Sequence, residues 1–358
     1  MIRLKKDRDF FSVFDDVSGV YMRTGIFENG KDTGKDPFMA SFPELLDVGI
    51  MGHCTHGKTG LCLRAGVQCY QRGPYSDKPN MSIHQFREIV EQCRGRTFQI
   101  ALGGCGDPDQ HESFKEILQL CRDYGIVPNF TTSGYGMTEK IAALCARYCG
   151  AVAVSWYRSS YTIRAIELLL NAGVKTNIHY VLSSQSLREA IDKLRSNDFP
   201  TGINAVVFLL HKPVGLGRKE LVIQHDSADF QEFLNTIEDR SSDFKIGFDS
   251  CTVPALVRHG KSIDLSSIDT CEGARWSAYI TPDMKMLPCS FDNQDLKWTV
   301  DLTMHSIEEA WTSNVFDDFR NRLQSACPEC LRRDHCMGGC PICPEIVLCK
   351  DAQTMNAV

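Results

Sequence analysis

Six alternations of strand-like and helix-like segments between residues 45 and 210 constrain the fold of this chain more than any other feature of its sequence. Each strand-like segment is a short, continuous apolar run, which is typical of a parallel strand buried on both faces. Each helix-like segment repeats apolar residues every three or four positions. The alternation predicts an α/β fold, a partial (β/α)6 TIM barrel of parallel strands with its chemistry at their C-terminal ends. The predicted strands span residues 45–51, 97–102, 126–131, 151–156, 176–182 and 203–210.

The composition is that of a folded globular protein without an evident nucleic-acid or membrane surface. Of 358 residues, 43% are apolar and 23% are charged, which excludes a largely disordered chain, and the net charge is −6. That charge favours neither nucleic acid nor an anionic membrane as a partner. No apolar run approaches the roughly 18 residues of a membrane span, and the N-terminus lacks the apolar stretch of a signal peptide. We therefore expect a cytoplasmic protein whose thiols stay reduced.

The chain contains 17 cysteines, and their distribution divides it into three regions. Residues 1–44 are predicted to form an N-terminal extension with a hairpin at 20–31, and residues 45–250 are predicted to form the barrel. Residues 251–358 form a tail with nine cysteines and only one long helical pattern, at 306–323. Because such a tail cannot build much of an apolar core, metal crosslinks are predicted to hold it together.

Three cysteines in the loop after the first strand, Cys54, Cys62 and Cys69, are candidate metal ligands. The loop lies at the end of the barrel where catalytic residues gather. With His53 or His56 as a fourth ligand, the three thiols match the donors of a zinc site. They also match three irons of a 4Fe–4S cluster whose fourth iron is open, and the loop alone does not decide between these interpretations. Other cysteines are predicted to pack in the helical core, namely Cys93, Cys121, Cys145 and Cys149.

The loop after the second strand is rich in glycine and contains a carboxylate. Small residues allow a ligand to approach the backbone closely, and a carboxylate accepts hydrogen bonds from an ammonium group. The fingerprint of a dinucleotide site, in which a strand, GxGxxG and a later acidic residue line up, is absent. The residues singled out in this loop are Gly103, Gly104, Gly106 and Asp107.

The tail carries a dense cysteine motif, CX2CX5CX3C, between residues 327 and 340. Four thiolates hold one cluster or one zinc ion, so the nine tail cysteines suffice for two sites with one left over. Structural zinc is an alternative that the tail by itself leaves open. The tail cysteines are Cys251, Cys271, Cys289, Cys327, Cys330, Cys336, Cys340, Cys343 and Cys349.

Together these features resemble the radical S-adenosylmethionine (radical SAM) enzymes that carry a C-terminal SPASM domain, over about residues 45–350. Residues 103–114 resemble the family's GGGEP-x-x-H-x-x-F segment, with Asp107 in the place of the usual glutamate. The resemblance implies that this segment cradles the methionyl amino group of SAM. It also implies SAM contacts from Thr132 and Ser133 in the TTSG sequence, from Ser155, and from Tyr70 beside the adenine.

In this resemblance Cys54, Cys62 and Cys69 hold the 4Fe–4S cluster that binds SAM, and they are the catalytic cysteines. Their spacing, CX7CX6C, is eight residues longer than the family's CX3CX2C. Ligation constrains where the sulfur atoms lie rather than the length of the loops between them. The longer loop can therefore still close around a cluster.

The tail resembles the SPASM pattern, which implies two auxiliary 4Fe–4S clusters in addition to the first. Met284 stands where that pattern has a glycine. The last ligand of auxiliary cluster II is either Cys343 or Cys349, and the gap before Cys349 favours Cys349. By the resemblance, cluster I is held by Cys251, Cys271, Cys289 and Cys340, and cluster II by Cys327, Cys330, Cys336 and that last ligand.

The resemblance implies reductive cleavage of SAM to methionine and a 5′-deoxyadenosyl radical, which abstracts a hydrogen atom from the substrate. The cofactors supply this chemistry, while the protein orients the substrate and excludes water. Since SPASM enzymes mostly modify peptides or proteins, the expected substrate is a ribosomally made peptide. The expected product is a thioether, a carbon–carbon or carbon–oxygen crosslink, or an epimer. A flavodoxin or ferredoxin is the expected electron donor.

Two other functions are compatible with parts of the sequence. The first is oxidation of a protein residue to formylglycine, as in sulfatase maturases. This function is less favoured, because those enzymes have an aspartate directly after the cysteine that matches Cys289 and this chain has Ser290 there. The second is a non-catalytic scaffold stabilised by zinc. A scaffold has no need for cysteines, a glycine-rich loop with Asp107 and Ser155 at successive strand ends of one barrel.

Overall fold

The computed structural model describes residues 1–238, 243–260, 264, 267–293, 295–325 and 327–349. The end of the predicted tail, residues 350–358, lies outside the described residues. The described chain forms one ten-stranded sheet, a separate three-stranded sheet and a two-stranded hairpin. In this part of the chain, no helix is long and apolar enough to cross a membrane.

The strands predicted for the barrel are present, with bounds shifted by up to two residues. The strands are β1 (Ile2–Lys6), β2 (Phe11–Asp15), β3 (Tyr21–Arg23), β4 (Phe27–Glu28), β5 (Lys31–Asp32), β6 (Leu45–Met51), β7 (Gln99–Gly104), β8 (Val127–Thr132), β9 (Val152–Ser155), β10 (Thr176–Leu182), β11 (Ala205–Leu210), β12 (Lys245–Phe248), β13 (Ser277–Ile280), β14 (Lys285–Leu287) and β15 (Val300–Asp301).

Helices alternate with the barrel strands and bury the apolar stripes on which they were predicted. Cys93, Cys121 and Cys145 are fully buried on such stripes, as expected of core residues. The α-helices are α1 (Thr55–Thr59), α2 (Leu61–Arg64), α3 (Ile83–Cys93), α4 (Phe114–Asp123), α5 (Glu139–Tyr148), α6 (Ser160–Asn171), α7 (Leu187–Ser196), α8 (Ala228–Glu238), α9 (Val253–His259), α10 (Ile307–Trp311), α11 (Asn314–Ser325) and α12 (Arg333–Cys336).

The order of the large sheet is β12-β11-β10-β9-β8-β7-β6-β13-β14-β15. From β12 to β13 all neighbours pair in parallel, whereas β14 pairs antiparallel with both β13 and β15. The predicted α/β class and its run of parallel strands are therefore confirmed. Because the barrel strands are parallel and sequential, the loops after β6, β7, β8 and β9 lie side by side at one edge.

The structure adds two parallel strands that were not predicted from the sequence, β12 next to β11 and β13 next to β6. The sequence of β12, KIGF, contains a lysine and a glycine and therefore shows no continuous apolar run. The tail helix predicted at 306–323 is two helices, α10 and α11. They are separate because the Ser313 hydroxyl accepts a hydrogen bond from the N–H of Phe316 (3.4 Å) and so begins a new helix.

Contrary to the prediction, the first part of the tail contributes substantially to the apolar core. Trp311, Phe316 and Phe319 are fully buried and belong to the same apolar cluster as the barrel. Strand β13 extends the barrel sheet through its parallel pairing with β6. The tail strands are two to four residues long, so their apolar contribution is not visible as a periodic pattern.

The N-terminal extension forms β1 to β5 and is anchored to the barrel by Lys5, whose ammonium group donates a hydrogen bond to the carbonyl oxygen of Arg96 (3.1 Å). The hydroxyl of Tyr21 donates a hydrogen bond to the Glu44 carboxylate (2.6 Å). The hairpin predicted at 20–31 is present only in part, because β3 pairs with β2 while β4 and β5 form the hairpin. Asn29 and Gly30, with φ of 50° and 77°, form its turn, which requires positive φ at both central positions.

Candidate functional site

The loop after β6 brings the thiols of Cys54, Cys62 and Cys69 together. The sulfur of Cys54 accepts a hydrogen bond from the Gly57 N–H (3.0 Å), and the sulfur of Cys69 accepts one from the Gly73 N–H (3.3 Å). Burial raises the pKa of Cys54 to about 12, and the nearby thiols of Cys69 and Cys62 add to this rise. The three predicted cluster ligands therefore share one buried environment.

The carboxylate of Asp107, in the loop after β7, lies near these thiols. Its charge adds to the effect of burial in raising the pKa of Cys54 and of Cys62. Burial, with a smaller contribution from Asp109, raises the pKa of Asp107 itself to about 7. Asp107 accepts hydrogen bonds from the N–H (2.7 Å) and the hydroxyl (2.5 Å) of Ser133, just after β8. Residues predicted from three separate loops are thus brought together.

Glycines allow the backbones at the ends of β6 and β7 and in the loops that follow to contact each other directly. A Cβ atom at Gly106 would lie 2.4 Å from the carbonyl oxygen of His53. Gly104 has φ of +118°, and a Cβ atom there would lie 2.4 Å from the carbonyl oxygen of Met51. Neither position accommodates a side chain without displacing backbone. At Gly103 nothing lies within 4 Å of the Cβ position, so this glycine leaves open space at the strand end.

Strand β9 adds Ser155 and, two residues later, Tyr157 to the same region. Burial raises the pKa of Tyr157 well above its usual value, and the charges of Asp107, Cys69 and Cys62 add to the rise. The Tyr157 hydroxyl also interacts with the side chain of Ser155. Tyr157 was not among the site residues predicted from the sequence. Its place just beyond the C-terminal end of a barrel strand is the signal that could have identified it.

His56 anchors the unusually long cluster loop to the barrel. Its ring stacks on Tyr135 with 4.8 Å between centroids and 12° between planes. Its Nε2 is 3.0 Å from the hydroxyl of Tyr161, and burial lowers the pKa of His56. The other histidine considered as a zinc ligand, His53, has its Nδ1 3.3 Å from the carbonyl oxygen of Lys78. Both histidines therefore have partners other than a thiol group.

Tyr70 lies between the cluster loop and the tail. Its ring centroid is 4.8 Å from that of Phe291. Burial raises the pKa of Tyr70, and its hydroxyl interacts with the side chains of Gln71 and Ser290. The ring of Tyr70 therefore contacts the tail. Its predicted position beside the adenine of SAM stays a prediction.

A carboxylate and a histidine occur in the barrel interior between the cluster loop and the tail. Burial raises the pKa of Asp47 to about 6, and the charge of Asp47 contributes to the raised pKa of Tyr279 and of Cys289. Burial lowers the pKa of His179 to about 4, and its Nδ1 is 3.3 Å from the hydroxyl of Thr131. This interior is therefore polar in places but shielded from bulk water.

In the tail, Cys251, Cys271, Cys289 and Cys340 form a first group of thiols. Burial raises the pKa of Cys271 to about 12, and Cys340 adds to the rise. The pKa of Cys289 is raised by burial and then by Cys271 and Cys340. Cys340 and Cys289 likewise contribute to the raised pKa of Cys251, which is chiefly due to burial. These four thiols lie within electrostatic reach of one another.

The second group of tail thiols surrounds Cys336. Burial raises the pKa of Cys336 to about 11, and Cys349, Cys327 and Cys330 all add to the rise. Cys327, Cys330 and Cys349, which were grouped with Cys336 from the sequence, thus all lie near it.

Cys343, the alternative to Cys349, lies beside the first group instead. Its N–H donates a hydrogen bond to the sulfur of Cys340 (3.3 Å), and its side chain is nearly fully buried. Hydrogen bonding from Cys343 lowers the pKa of Cys340 to about 7, despite burial. Cys343 is therefore a hydrogen-bonding partner of Cys340 and lies near Cys251 and Cys289.

The donor sets fit iron–sulfur clusters and SAM. Over the described ranges, no three His, Cys, Asp or Glu side chains are grouped so as to hold a single metal ion. In a 4Fe–4S cluster each cysteine binds a different iron, so the sulfurs surround a cluster rather than one ion. The loop offers three thiols with a carboxylate nearby, and each tail group offers four thiols.

The chain is similar in sequence to known maturases. A scan against protein-family models gives no match. The mycofactocin maturase MftC of Mycolicibacterium smegmatis is 24% identical over 303 residues, which cover 79% of this chain and 76% of that protein.

Two solved structures resemble the fold over most of the chain. SuiB of Streptococcus suis, bound to precursor peptide SuiA, gives a TM-score of 0.69 at 12% identity and covers 96% of both chains. anSMEcpe with bound AdoMet, which is SAM, gives a TM-score of 0.60 at 18% identity and covers 85% of this chain and 87% of that one. These similarities support the partial barrel and its tail as one fold.

Proposed function

We propose that this chain, which its motifs and relatives identify as a radical SAM enzyme with a SPASM-type tail, modifies a ribosomally made peptide. The observation that carries the proposal is the grouping of Cys54, Cys62 and Cys69 near Asp107 at adjacent strand ends. MftC is a maturase, and SuiB has been seen with a precursor peptide, which supports a peptide as the substrate. The product is a thioether, a carbon–carbon or carbon–oxygen crosslink, or an epimer.

Cys54, Cys62 and Cys69 would hold three irons of a 4Fe–4S cluster. With SAM on the fourth iron, the cluster supplies a 5′-deoxyadenosyl radical for hydrogen abstraction. Asp107 would accept hydrogen bonds from the ammonium group of SAM, whose positive charge favours the ionised carboxylate. Tyr157 lies near both the thiols and Asp107 and would help exclude water from this space.

Other predicted SAM contacts follow from the same arrangement. Ser133 already donates two hydrogen bonds to Asp107, so it orients the carboxylate that faces SAM. The hydroxyl of Thr132 accepts a hydrogen bond from the Gly134 N–H (3.0 Å), which shapes the end of β8. The close backbone packing at Gly104 and Gly106 keeps the loop free of side chains where SAM would lie.

In the tail we propose two auxiliary 4Fe–4S clusters, which makes three in all. The first would be held by Cys251, Cys271, Cys289 and Cys340, and the second by Cys327, Cys330, Cys336 and Cys349. The proximity of Cys349 to Cys336 supports this choice, while Cys343 would donate its hydrogen bond to a ligand of the first cluster. Reductive cleavage of SAM needs a one-electron donor, for which we propose a flavodoxin or ferredoxin in a reducing cytoplasm.

The test is iron and labile sulfide per chain after anaerobic reconstitution, compared between wild type and a Cys54→Ala, Cys62→Ala, Cys69→Ala triple variant. About twelve irons should fall to about eight. With SAM and dithionite, wild type should form 5′-deoxyadenosine and the variant should not. Eight irons in both proteins would show that the long loop binds no cluster, and zinc in place of iron would refute the radical mechanism.

Single Cys93→Ala and Cys121→Ala variants provide matched controls, because both thiols are buried among core side chains away from the loop. They should lose stability by a few kcal/mol at most and keep all their iron. A loss of iron in these controls as large as in the triple variant would show that cysteine removal acts through folding.

The two other functions are not favoured. The similarity to anSMEcpe concerns the fold, and this chain lacks an aspartate directly after Cys289. A zinc-stabilised scaffold does not account for the carboxylate of Asp107 and the hydroxyls of Ser133 and Tyr157 near the loop thiols.

A further inference from the structure

Lys212 is a buried cation at the C-terminal end of the barrel, two residues after β11. Its side chain is only 5% exposed. The ammonium group donates a hydrogen bond to the carbonyl oxygen of Leu210 (3.0 Å) and another to the carboxylate of Asp249. It also lies over the ring of Phe291, 4.7 Å from the centroid. A buried lysine is costly unless it is paired, and here Asp249 and the carbonyl oxygen of Leu210 supply the partners.

Asp249 is itself held in place, which fixes the position of the ammonium group. Its Oδ1 accepts a hydrogen bond from the hydroxyl of Thr252 (2.6 Å). Its Oδ2, which pairs with Lys212, also accepts one from the N–H of Leu210 (3.2 Å). Both carboxylate oxygens are therefore occupied, and the ion pair has little freedom to rotate.

The ion pair lies beside the segments that carry the first group of tail thiols. Phe291, whose ring the ammonium group overlies, is two residues after Cys289. Asp249 is two residues before Cys251, and its hydrogen bond comes from Thr252, the residue after Cys251. In keeping with this placement, the charge of Lys212 counteracts the burial that raises the pKa of Cys251. Lys212 therefore places a buried positive charge next to this group of thiols.

We propose that Lys212 raises the reduction potential of the auxiliary cluster held by Cys251, Cys271, Cys289 and Cys340. Reduction of a cluster by one electron adds one negative charge, and net charge and nearby groups set cluster potentials. In a buried site a positive charge is poorly screened and stabilises that added charge. The inference rests on the proposed function, because it requires a cluster on these four thiols.

The experiment is an anaerobic redox titration of the reconstituted full-length protein, with each cluster followed by electron paramagnetic resonance. Lys212→Met removes the charge and keeps an unbranched side chain. It should make the midpoint potential of one auxiliary cluster more negative, by about tenfold in the reduction equilibrium, which is about 59 mV for one electron. The other two clusters should not shift.

Two controls separate charge from packing. Lys212→Arg keeps the charge and should retain a potential close to that of wild type. Lys219→Met removes an exposed lysine that pairs with Glu345 at 3.3 Å, and it should leave every potential unchanged. If the potential moves equally in the Met and Arg variants of Lys212, the effect is one of shape, and the proposal is wrong.

Iron content distinguishes failure of this inference from failure of the proposed function. If wild type holds no iron on the first tail group, the cluster assignment fails and the inference fails with it. If iron is present and Lys212→Met leaves all potentials unchanged, only the inference fails. If Lys212→Met loses this cluster, the Asp249→Asn variant tests the proposal instead. Removal of the opposing carboxylate should make the midpoint potential of this cluster more positive. An unchanged or more negative potential in Asp249→Asn overturns the proposal.

Discussion

The cluster loop after β6 and the cysteine-rich segment 327–349 both present thiols for iron, but they are built in different ways. The loop is pressed against the barrel at Gly106 and anchored by the stacking of His56 on Tyr135. The tail segment contains a four-residue helix, α12, a fully exposed Leu331 and, near its end, the buried residues Ile346, Val347 and Leu348. Packing therefore places the first thiols, whereas we expect residues 327–336 of the tail to depend on a bound metal for their structure.

Removal of iron should affect the two regions very differently. In the metal-free protein we expect amides in 327–336 to exchange with solvent at least about a hundredfold faster than in the holoenzyme, which corresponds to about 2.8 kcal/mol. Amides in the cluster loop should change much less, because that loop keeps its contacts with the barrel. Hydrogen exchange followed by mass spectrometry measures both regions in one sample, and equal deprotection of the two would contradict the comparison.

A methyl group at Gly106 should disrupt the loop without touching the tail. The added Cβ would lie 2.4 Å from the carbonyl oxygen of His53, so the loops after β6 and β7 must separate. At about 1–3 kcal/mol for such overpacking, Gly106→Ala should reduce the formation of 5′-deoxyadenosine by about five- to 150-fold. Gly247→Ala is the matched control, since its Cβ would meet Val207 at an ordinary 3.5 Å. Equal activities of the two variants would argue against close backbone packing as the cause of the position of the cluster loop.

Substitution of Cys349 and of Cys343 should have separate effects on the tail. Cys349→Ala should remove one auxiliary cluster and lower the iron content by about four per chain. Cys343→Ala removes only a hydrogen-bonding partner of Cys340, so it should keep the iron and alter the spectrum of the other auxiliary cluster. Iron analysis and electron paramagnetic resonance measure these results. The reverse pattern would assign the last ligand to Cys343.

The smallest expected effect is on the pH dependence of stability and comes from a histidine in the barrel interior. Burial lowers the pKa of His179 from 6.5 to about 4. The unfolded chain therefore binds this proton more readily than the folded one, and stability should fall as the pH decreases from about 6.5 towards 4. Between pH 7 and 5.5, His179→Gln should show a shallower loss of urea stability than wild type. Identical slopes for the two proteins would mean that His179 does not contribute.

Much of the fold was predictable because it depends on local patterns. The six barrel strands follow from continuous apolar runs, and the buried stripes with Cys93 and Cys121 follow from helical periodicity. Three features were not predictable: β12 has no continuous apolar run, the break at Ser313 depends on a single hydrogen bond, and the tail strands are too short to show a pattern. Their apolar residues become a core only through pairing with the barrel, as β13 pairs with β6.

The sequence by itself determined which residue types are available for chemistry and in which loops they lie. The spacing of Cys54, Cys62 and Cys69 and the glycine-rich loop with Asp107 were visible in it, because ligand motifs and turns are local. Only the tertiary structure decided that Asp107 is bound by Ser133. The same is true of the other long-range contacts, namely the grouping of Cys349 with Cys336, the approach of Tyr157 to the thiols and the placement of Lys212 next to Cys251. The physical reason is that these contacts join residues far apart in the chain, whose distances are set by strand order and packing rather than by sequence spacing.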